Sequence, residues 1–408
     1  LYIFIVTSIT NTYEQGSHLG VSQMSVRKRT WKRTSDAELR TAWIVDYRDG
    51  AGKRRAKQFD RKKDADAWAA RTTVDVANGI HVADAATVTV AEAGRLWIET
   101  GKAAGLERTT LNQRRQHLEI HIIPFIGSLK LNKISVRAAR AFQDQLREAG
   151  TSPVMIKRVT TSLSGILQDA QERGLVAQNA IRGMRKSGSE KRHEKRLEVG
   201  VDIPTPREMA ALIAALTPRW RPLLLTAIFT GMRASELRGL RWQDVDIQGA
   251  KVHVRQRADC YKRIGMPKSR SSQRTIPLPP VVVNTLREWQ LRCPKGDLGL
   301  VFPNTLGRVE RYDNIINGGL LPALRAAGLT DSQGQPKYTG LHMLRHWFAS
   351  WCINRKVDGG RELNPKAVQQ LLGHSSITMT LDRYGHLFPS TDDNAELEAA
   401  TAMLLRAT

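Results

Sequence analysis

Thr230-Gly-Met-Arg-Ala-Ser-Glu-Leu237 and His342-Met-Leu-Arg-His346 decide how this chain is read. In the first, Arg233 and Glu236 stand three residues apart, which on a helix puts them on one face. In the second, His342 and Arg345 have the same spacing. Downstream, Leu371-Leu-Gly-His-Ser375 sets His374 just after a helix-ending glycine. Ten residues later, Asp382-Arg-Tyr-Gly-His386 carries Tyr384 before Gly385. Upstream, Pro267-Lys-Ser-Arg-Ser-Ser-Gln-Arg274 reads as a hairpin loop bearing Lys268, ahead of a strand at Arg274–Leu278. Singly, each residue has a plain reading: a surface arginine, a core histidine, an anchoring tyrosine, a helix salt bridge for Glu236.

The surrounding chain narrows the chemistry. It has 408 residues, with 63 Lys and Arg against 39 Asp and Glu, a formal charge of +24. A field of that sign attracts polyanions, of which nucleic acid is the commonest in the cell. No GxxxxGK[ST] loop is present, so a P-loop ATPase is not supported. His342 and His346 have the spacing of a zinc helix, but Met343 stands where a metalloprotease carries its glutamate base. Asp244 and Asp246 would point to opposite faces of a strand. No metal and no cofactor is therefore expected. Cys260, Cys293 and Cys352 are scattered and odd in number, which fits a reducing cytoplasm better than a disulfide framework. No apolar run approaches the ~20 residues of a membrane span.

Composition divides the chain. Residues 1–23 lack Met and are read as a leader outside the fold, non-native or disordered, because Met24 precedes a basic segment. Residues 24–84 read as a small basic α+β domain, with strands at Thr41–Tyr47 and Lys53–Phe59, a turn at Asp49–Gly52, and a helix after Asp60. Arg54, Arg55 and Lys57 on the second strand are candidate DNA contacts. Residues 85–182 read as a four-helix domain, with Pro124 and Gly127 breaking the chain between its second and third helices. Its candidate phosphate contacts are Arg114, Arg115, Lys157 and Arg158. Residues 183–203 read as a basic linker, and 204–390 as a further domain, mainly helical with short strands. A C-terminal helix within 391–408 presents Leu397, Ala400, Met403 and Leu404 on one side, for a neighbouring protomer or for its own chain.

In this order, Arg233, Lys268, His342, Arg345, His374 and Tyr384 resemble the tyrosine recombinase (phage integrase) family. The family pattern is Arg in TG-(Met/Leu)-R-x-x-E-L, a hairpin Lys, H-x-x-R, L-G-H, and a late Tyr before Gly-His. Trp347 departs from it, standing where the family usually has a small polar residue. The resemblance implies a multidomain, mainly α protein with small β-sheets. Its catalytic domain would follow a helical core-site-binding domain and an N-terminal arm-binding domain. It implies a site-specific recombinase that cleaves and rejoins double-stranded DNA through a 3′-phosphotyrosyl link, integrating or excising a phage or other mobile element. Tyr384 would be the nucleophile, His342 would accept its proton, and Lys268 would protonate the departing 5′-oxygen. Arg233, Arg345 and His374 would hold the nonbridging oxygens, with Glu236 in support. The implied partners are attachment-site DNA, three further copies in a homotetramer, and accessory DNA-bending or excision proteins. Two other readings remain open: a type IB topoisomerase-like enzyme that relaxes DNA, and a DNA-binding protein without chemistry.

Overall fold

A computed structural model describes residues 24–32, 39–48, 52–77, 87–184, 196–267, 269–388, 401–402 and 405. The expected leader at 1–23, the turn at 49–51, Lys268, and most of the linker and of the C-terminal helix lie outside these residues. The chain divides into two compact units, Leu1–Ser187 and Gly188–Thr408.

The first unit begins with an antiparallel sheet in the order β1 (Ser25–Lys32), β2 (Leu39–Arg48), β3 (Arg54–Phe59). Strand β1 escaped sequence reading because Ser25-Val-Arg-Lys-Arg-Thr30 has no apolar alternation. Helix α1 (Lys62–Ala77) covers one face, its Trp68 ring 5.1 Å from Tyr47 and 5.7 Å from Phe59. Lys57 lies on that side too, its Nζ 4.9 Å from the Trp68 ring. Strand alternation therefore places Arg55 with Lys57 toward the helix and Arg54 on the opposite face. Arg27, paired to Asp46 at 2.7 Å, shares the face of Arg54.

Helices α2 (Val90–Ala103), α3 (Arg108–Gln116), α4 (Ile123–Ile126), α5 (Val136–Glu148) and α6 (Pro153–Glu172) follow. Local chemistry sets their ends. Thr89 and Glu92 form a reciprocal capping box, and Ser135 and Ser152 cap α5 and α6. Gly150 and Gly174 end those two helices with φ of +76° and +71°. Pro124 does not break the chain as expected. A π-helical turn, His117–Ile122, joins α3 to α4 and leads into the proline, whose missing N–H falls in the first turn of α4. Trp97, Leu118, Phe142, Leu146, Leu163 and Ile166 fill the core.

The second unit is built around α8 (Arg221–Thr230), whose Leu223–Ile228 stretch is wholly buried. Each of its leucines contributes roughly 1.5–3 kcal/mol of burial. Before it, α7 (Pro206–Ala214) opens with a Thr205–Glu208 capping box. Arg196–Ile203, expected as linker, is attached to this unit: Ile203 is buried, and His386 Nε2 lies 2.7 Å from the Leu197 carbonyl. After α8 come α9 (Ala234–Gly239), β4 (Val245–Asp246), β5 (Lys251–Val254), β6 (Arg257–Ala258), β7 (Ile264–Gly265) and β8 (Arg274–Pro277). Strands β4, β5 and β8 form one antiparallel sheet, and β6 pairs with β7. Then follow α10 (Pro280–Arg292), α11 (Tyr312–Asn314), α12 (Leu321–Ala326), α13 (His342–Ile353), α14 (Pro365–Leu372) and α15 (Ile377–Tyr384). Trp347, the departure noted above, is buried in this core, and its indole N–H has no hydrogen-bond partner among the described residues.

Candidate active site

Two glycine-ended helices organise the site. Gly231 ends α8 and Gly373 ends α14, with φ of +59° and +65°. A helix C-terminus presents unpaired carbonyls and a partial negative charge, both suited to guanidinium groups. At α14, three successive carbonyls each take one arginine. Arg274 Nε donates to Leu371 O at 2.6 Å, Arg345 Nη2 to Leu372 O at 2.6 Å, and Arg233 Nη2 to Gly373 O at 3.4 Å. Arg345 Nη1 also donates to Gly231 O at 2.7 Å, tying the end of α8 to the end of α14.

The carboxylate of Glu236 holds two of these arginines together. It accepts from Arg233 Nη1 at 2.8 Å and from the Arg233 backbone N–H at 2.9 Å. It also accepts from Arg274 Nη1 and Nη2, at 3.1 and 2.9 Å. Burial pushes the Glu236 carboxyl up, but Arg274 and then Arg233 outweigh it, leaving the group below its ordinary value of 4.5. Arg233 keeps about a third of its side chain in solvent (35%), whereas Arg274 is sealed at 5%. The solvent-facing guanidinium is the one placed to receive a ligand.

Tyr384, at the end of α15, is 1% exposed. Its hydroxyl lies 2.7 Å from His346 Nδ1, and its ring stacks on His374 at 6.5 Å and 4°. His374 Nδ1 is 2.9 Å from Thr380 Oγ1, which orients the ring. His342, one turn before His346, meets it edge to face at 4.5 Å and is itself exposed. Among the described residues, His342 makes no hydrogen bond to Tyr384.

The site keeps its imidazoles neutral. Burial, then Arg345, Arg233, Arg274 and Arg383, holds His374 down to about 3. Burial, then His342, Arg383 and Arg345, holds His346 to about 3, with Asp202 opposing. His342 is lowered to about 4 by the protein packed around it and by Arg345, Arg383 and Arg233. Burial pushes the Tyr384 phenol up to about 12, while Arg345 and Arg383 pull against it. The result is a dense positive field around a protonated phenol, an arrangement that favours an arriving anion. Among the described residues, no group of three or more His, Cys, Asp or Glu is gathered as a metal site.

Comparison with known proteins gives this arrangement its family. The profile described as Phage integrase family matches residues 205–391, and that of the phage integrase N-terminal SAM-like domain matches 89–147. A tyrosine recombinase XerC-like protein of Caldanaerobacter subterraneus subsp. tengcongensis is 26% identical over 376 residues, 85% of this chain and 92% of that protein. Tyrosine recombinase XerC of Xylella fastidiosa (strain 9a5c) is 30% identical over 253 residues, 61% of this chain and 75% of that protein. This chain is a member of the tyrosine recombinase family. In fold, the recombinase is similar to the Tn1549 transposon integrase solved with transposon right end DNA (TM-score 0.61, 21% identity, 78% of this chain and 100% of that one). It is also similar to a lambda integrase tetramer bound to a Holliday junction (TM-score 0.52, 18% identity, 86% and 96% covered).

Within the recombinase, Arg233, Glu236, His342, Arg345, His374 and Tyr384 come together. Arg274, His346 and Arg383 join them; Arg274 and Arg383 were not singled out from sequence, and His346 was considered there only as a zinc ligand. His346 left a signal: it is a titratable residue inside Met343–Ser350, a helical stretch buried at every position. The DNA-contact candidates are placed elsewhere. Arg114, Lys157 and Arg158 line one shallow groove between α3 and α6 of the recombinase, with Arg115 exposed nearby and bonded to Asn112. Arg114 is also part of the packing, stacked 3.9 Å over Trp97 and donating to its carbonyl. No helix among the described residues is long and apolar enough to cross a membrane.

Proposed function

We propose that this recombinase cuts and rejoins double-stranded DNA at attachment sites of a phage or other mobile element, in the bacterial cytoplasm, with Tyr384 as nucleophile. The observation that carries the reading is the gathering of Tyr384, His374 and the arginines at the ends of α8 and α14. The scissile phosphate sits against Arg233 and Arg345, whose planar forks match its two nonbridging oxygens. His374 donates a hydrogen bond to one of them as negative charge develops. Tyr384 Oη gives its proton to a neutral imidazole of the site and bonds to phosphorus as the bond to the 5′-oxygen breaks, and Lys268 supplies the proton that oxygen needs. His342, exposed beside the arginines, lies on the phosphate side. Glu236 sets the angle of Arg233. The 3′-phosphotyrosyl link conserves the phosphodiester, so rejoining requires no nucleotide.

The α1 sheet serves as the arm-binding domain at 24–84, and the helical bundle at 85–182 as the core-binding domain. The basic face carrying Arg27 and Arg54 and the groove at Lys157 and Arg158 supply phosphate contacts. The assembly on DNA is a tetramer, as in the lambda integrase complex, with accessory bending or excision proteins acting on its direction.

The test is a denaturing gel of wild type and Tyr384→Phe with a nicked suicide duplex from DNA flanking the gene, in EDTA. An adduct with wild type alone supports the reading. Binding with no adduct refutes chemistry at that site. Relaxation of plasmid without strand exchange assigns a topoisomerase-like activity instead.

A further inference from the structure

We propose that His346 takes the phenolic proton of Tyr384 during strand cleavage and returns it on rejoining. The inference rests on the reading of Tyr384 as nucleophile and deepens it. Its basis is contact with the reacting atom. His346 Nδ1 is 2.7 Å from Tyr384 Oη, and among the described residues no other side chain bonds that oxygen. Both residues are nearly buried, at 7% and 1% exposure, and in this arrangement the side chain that meets the phenol hydroxyl is His346. His374 has its Nδ1 engaged by Thr380. His342 touches the ring of His346, not the hydroxyl.

The groups facing His346 are His342 and Arg345 on its own helix, Tyr384 and Arg383 on α15, and Asp202 before α7. Burial, then His342, Arg383 and Arg345, keeps the imidazole neutral against the pull of Asp202; in the proposed tautomer its Nδ1 lone pair accepts from the phenol and Nε2 carries the hydrogen. Burial makes a free phenolate costly, so the proton leaves as the bond to phosphorus forms. The incoming phosphate offsets the positive charge of Arg345 and Arg383, and with it the pressure against an imidazolium at His346. The step balances. Tyr384 Oη bonds to phosphorus, the P–O5′ bond breaks, the phenolic proton moves to His346 Nδ1, and O5′ takes a proton from the general acid. Rejoining runs the same transfers backwards.

The experiment measures single-turnover adduct formation on the nicked duplex with a 5′-bridging phosphorothiolate at the cleavage point. A thiolate leaves without an acid, so only the phenol's proton is in play. His346→Asn keeps an acceptor near the Nδ1 position but cannot take a proton. With melting temperature and DNA binding at wild-type levels, its rate is expected to fall about 10²–10⁴-fold at neutral pH. It should then rise about tenfold per pH unit from pH 6 to 9, while the wild-type rate stays flat, because hydroxide must replace the base. A variant rate equal to wild type, or one lowered equally at every pH, overturns the proposal; the second outcome reduces His346 to positioning. Should the variant fail to fold, the wild-type protein decides in D₂O: slowed cleavage of the phosphorothiolate supports the transfer, and an unchanged rate overturns it. Absence of a Tyr384-dependent adduct in wild type is the failure of the recombinase reading itself, and is thereby distinguished.

Discussion

Arg274 donates from both terminal nitrogens to the carboxylate of Glu236, at 3.1 and 2.9 Å, in a pair that is almost wholly buried. The arrangement fixes Arg233 indirectly, because the same carboxylate holds Arg233 at 2.8 Å. Removing one member of such a pair leaves the other charged and buried, which costs about 3–5 kcal/mol. Glu236→Ala is expected to lose that much in urea unfolding and to slow adduct formation. Arg233→Ala, at a solvent-facing position, should slow adduct formation with a much smaller change in unfolding. Equal stability losses in the two variants would contradict the division of labour.

The neutral imidazoles make stability depend on pH. Native values near 3 for His346 and His374 lie below the ordinary 6.5 of an unfolded chain. Between those values the unfolded state binds protons that the native state refuses. Their contribution is therefore complete above pH 6.5 and is lost as pH falls toward 3, at up to about 1.4 kcal/mol per pH unit for each residue. Glu236 acts lower, since its contribution is complete above the ordinary 4.5 and is lost as pH falls from there through its depressed native value. Urea unfolding at pH 7.5 and pH 5 measures the histidine part. His374→Asn should narrow the gap by about 2 kcal/mol, and an unchanged gap would show that His374 titrates normally in the native protein.

The candidate-site motifs were readable because each encodes its own local geometry. Glu236 caps the backbone of Arg233 three residues away, and Gly373 ends α14 wherever that helix is packed. What was not readable is pairing across the chain. Arg274 meets Glu236 over 38 residues, and its Nε seeks a carbonyl 97 residues away. His346 and Tyr384 are likewise 38 apart, and the HxxxH spacing that drew attention to His346 pointed toward zinc instead of toward a phenol. Reading proline as a chain breaker also misled at Pro124, where a widened turn carries the helical run into the proline.

Gly231 is required twice, by conformation and by space. Its φ is +59°, and a Cβ would collide with the Phe348 ring. Its carbonyl holds Arg345, so displacement would be transmitted to the proposed phosphate clamp. Gly231→Ala is expected to cost roughly 2–4 kcal/mol, from left-handed backbone plus overpacking. Gly328→Ala provides the comparison, because that residue has φ of +69° with nothing within 4 Å of the added carbon. It should show the backbone cost alone, about 1–2 kcal/mol. Thermal unfolding and adduct rates of the two variants separate the contributions, and equal losses would remove Phe348 from the explanation.

Lys157 and Arg158 differ from Arg114 in a way that salt can reveal. All three line one groove, but Lys157 and Arg158 are exposed, while Arg114 lies over Trp97 and bonds its carbonyl. An exposed cation on a phosphate releases counterions, contributing about −0.9 to the slope of log affinity against log salt. Lys157→Ala and Arg158→Ala should each make the slope shallower by about that amount and leave unfolding within about 0.5 kcal/mol of wild type. Arg114→Ala removes a cation stacked on an aromatic face as well as a hydrogen bond, and should destabilise the helical bundle by about 1–3 kcal/mol. Because the phosphate effect is independent of sequence, any duplex of adequate length serves for the titration. A slope unchanged by both exposed substitutions would move the DNA away from the α3–α6 groove and leave Arg114 a purely structural residue.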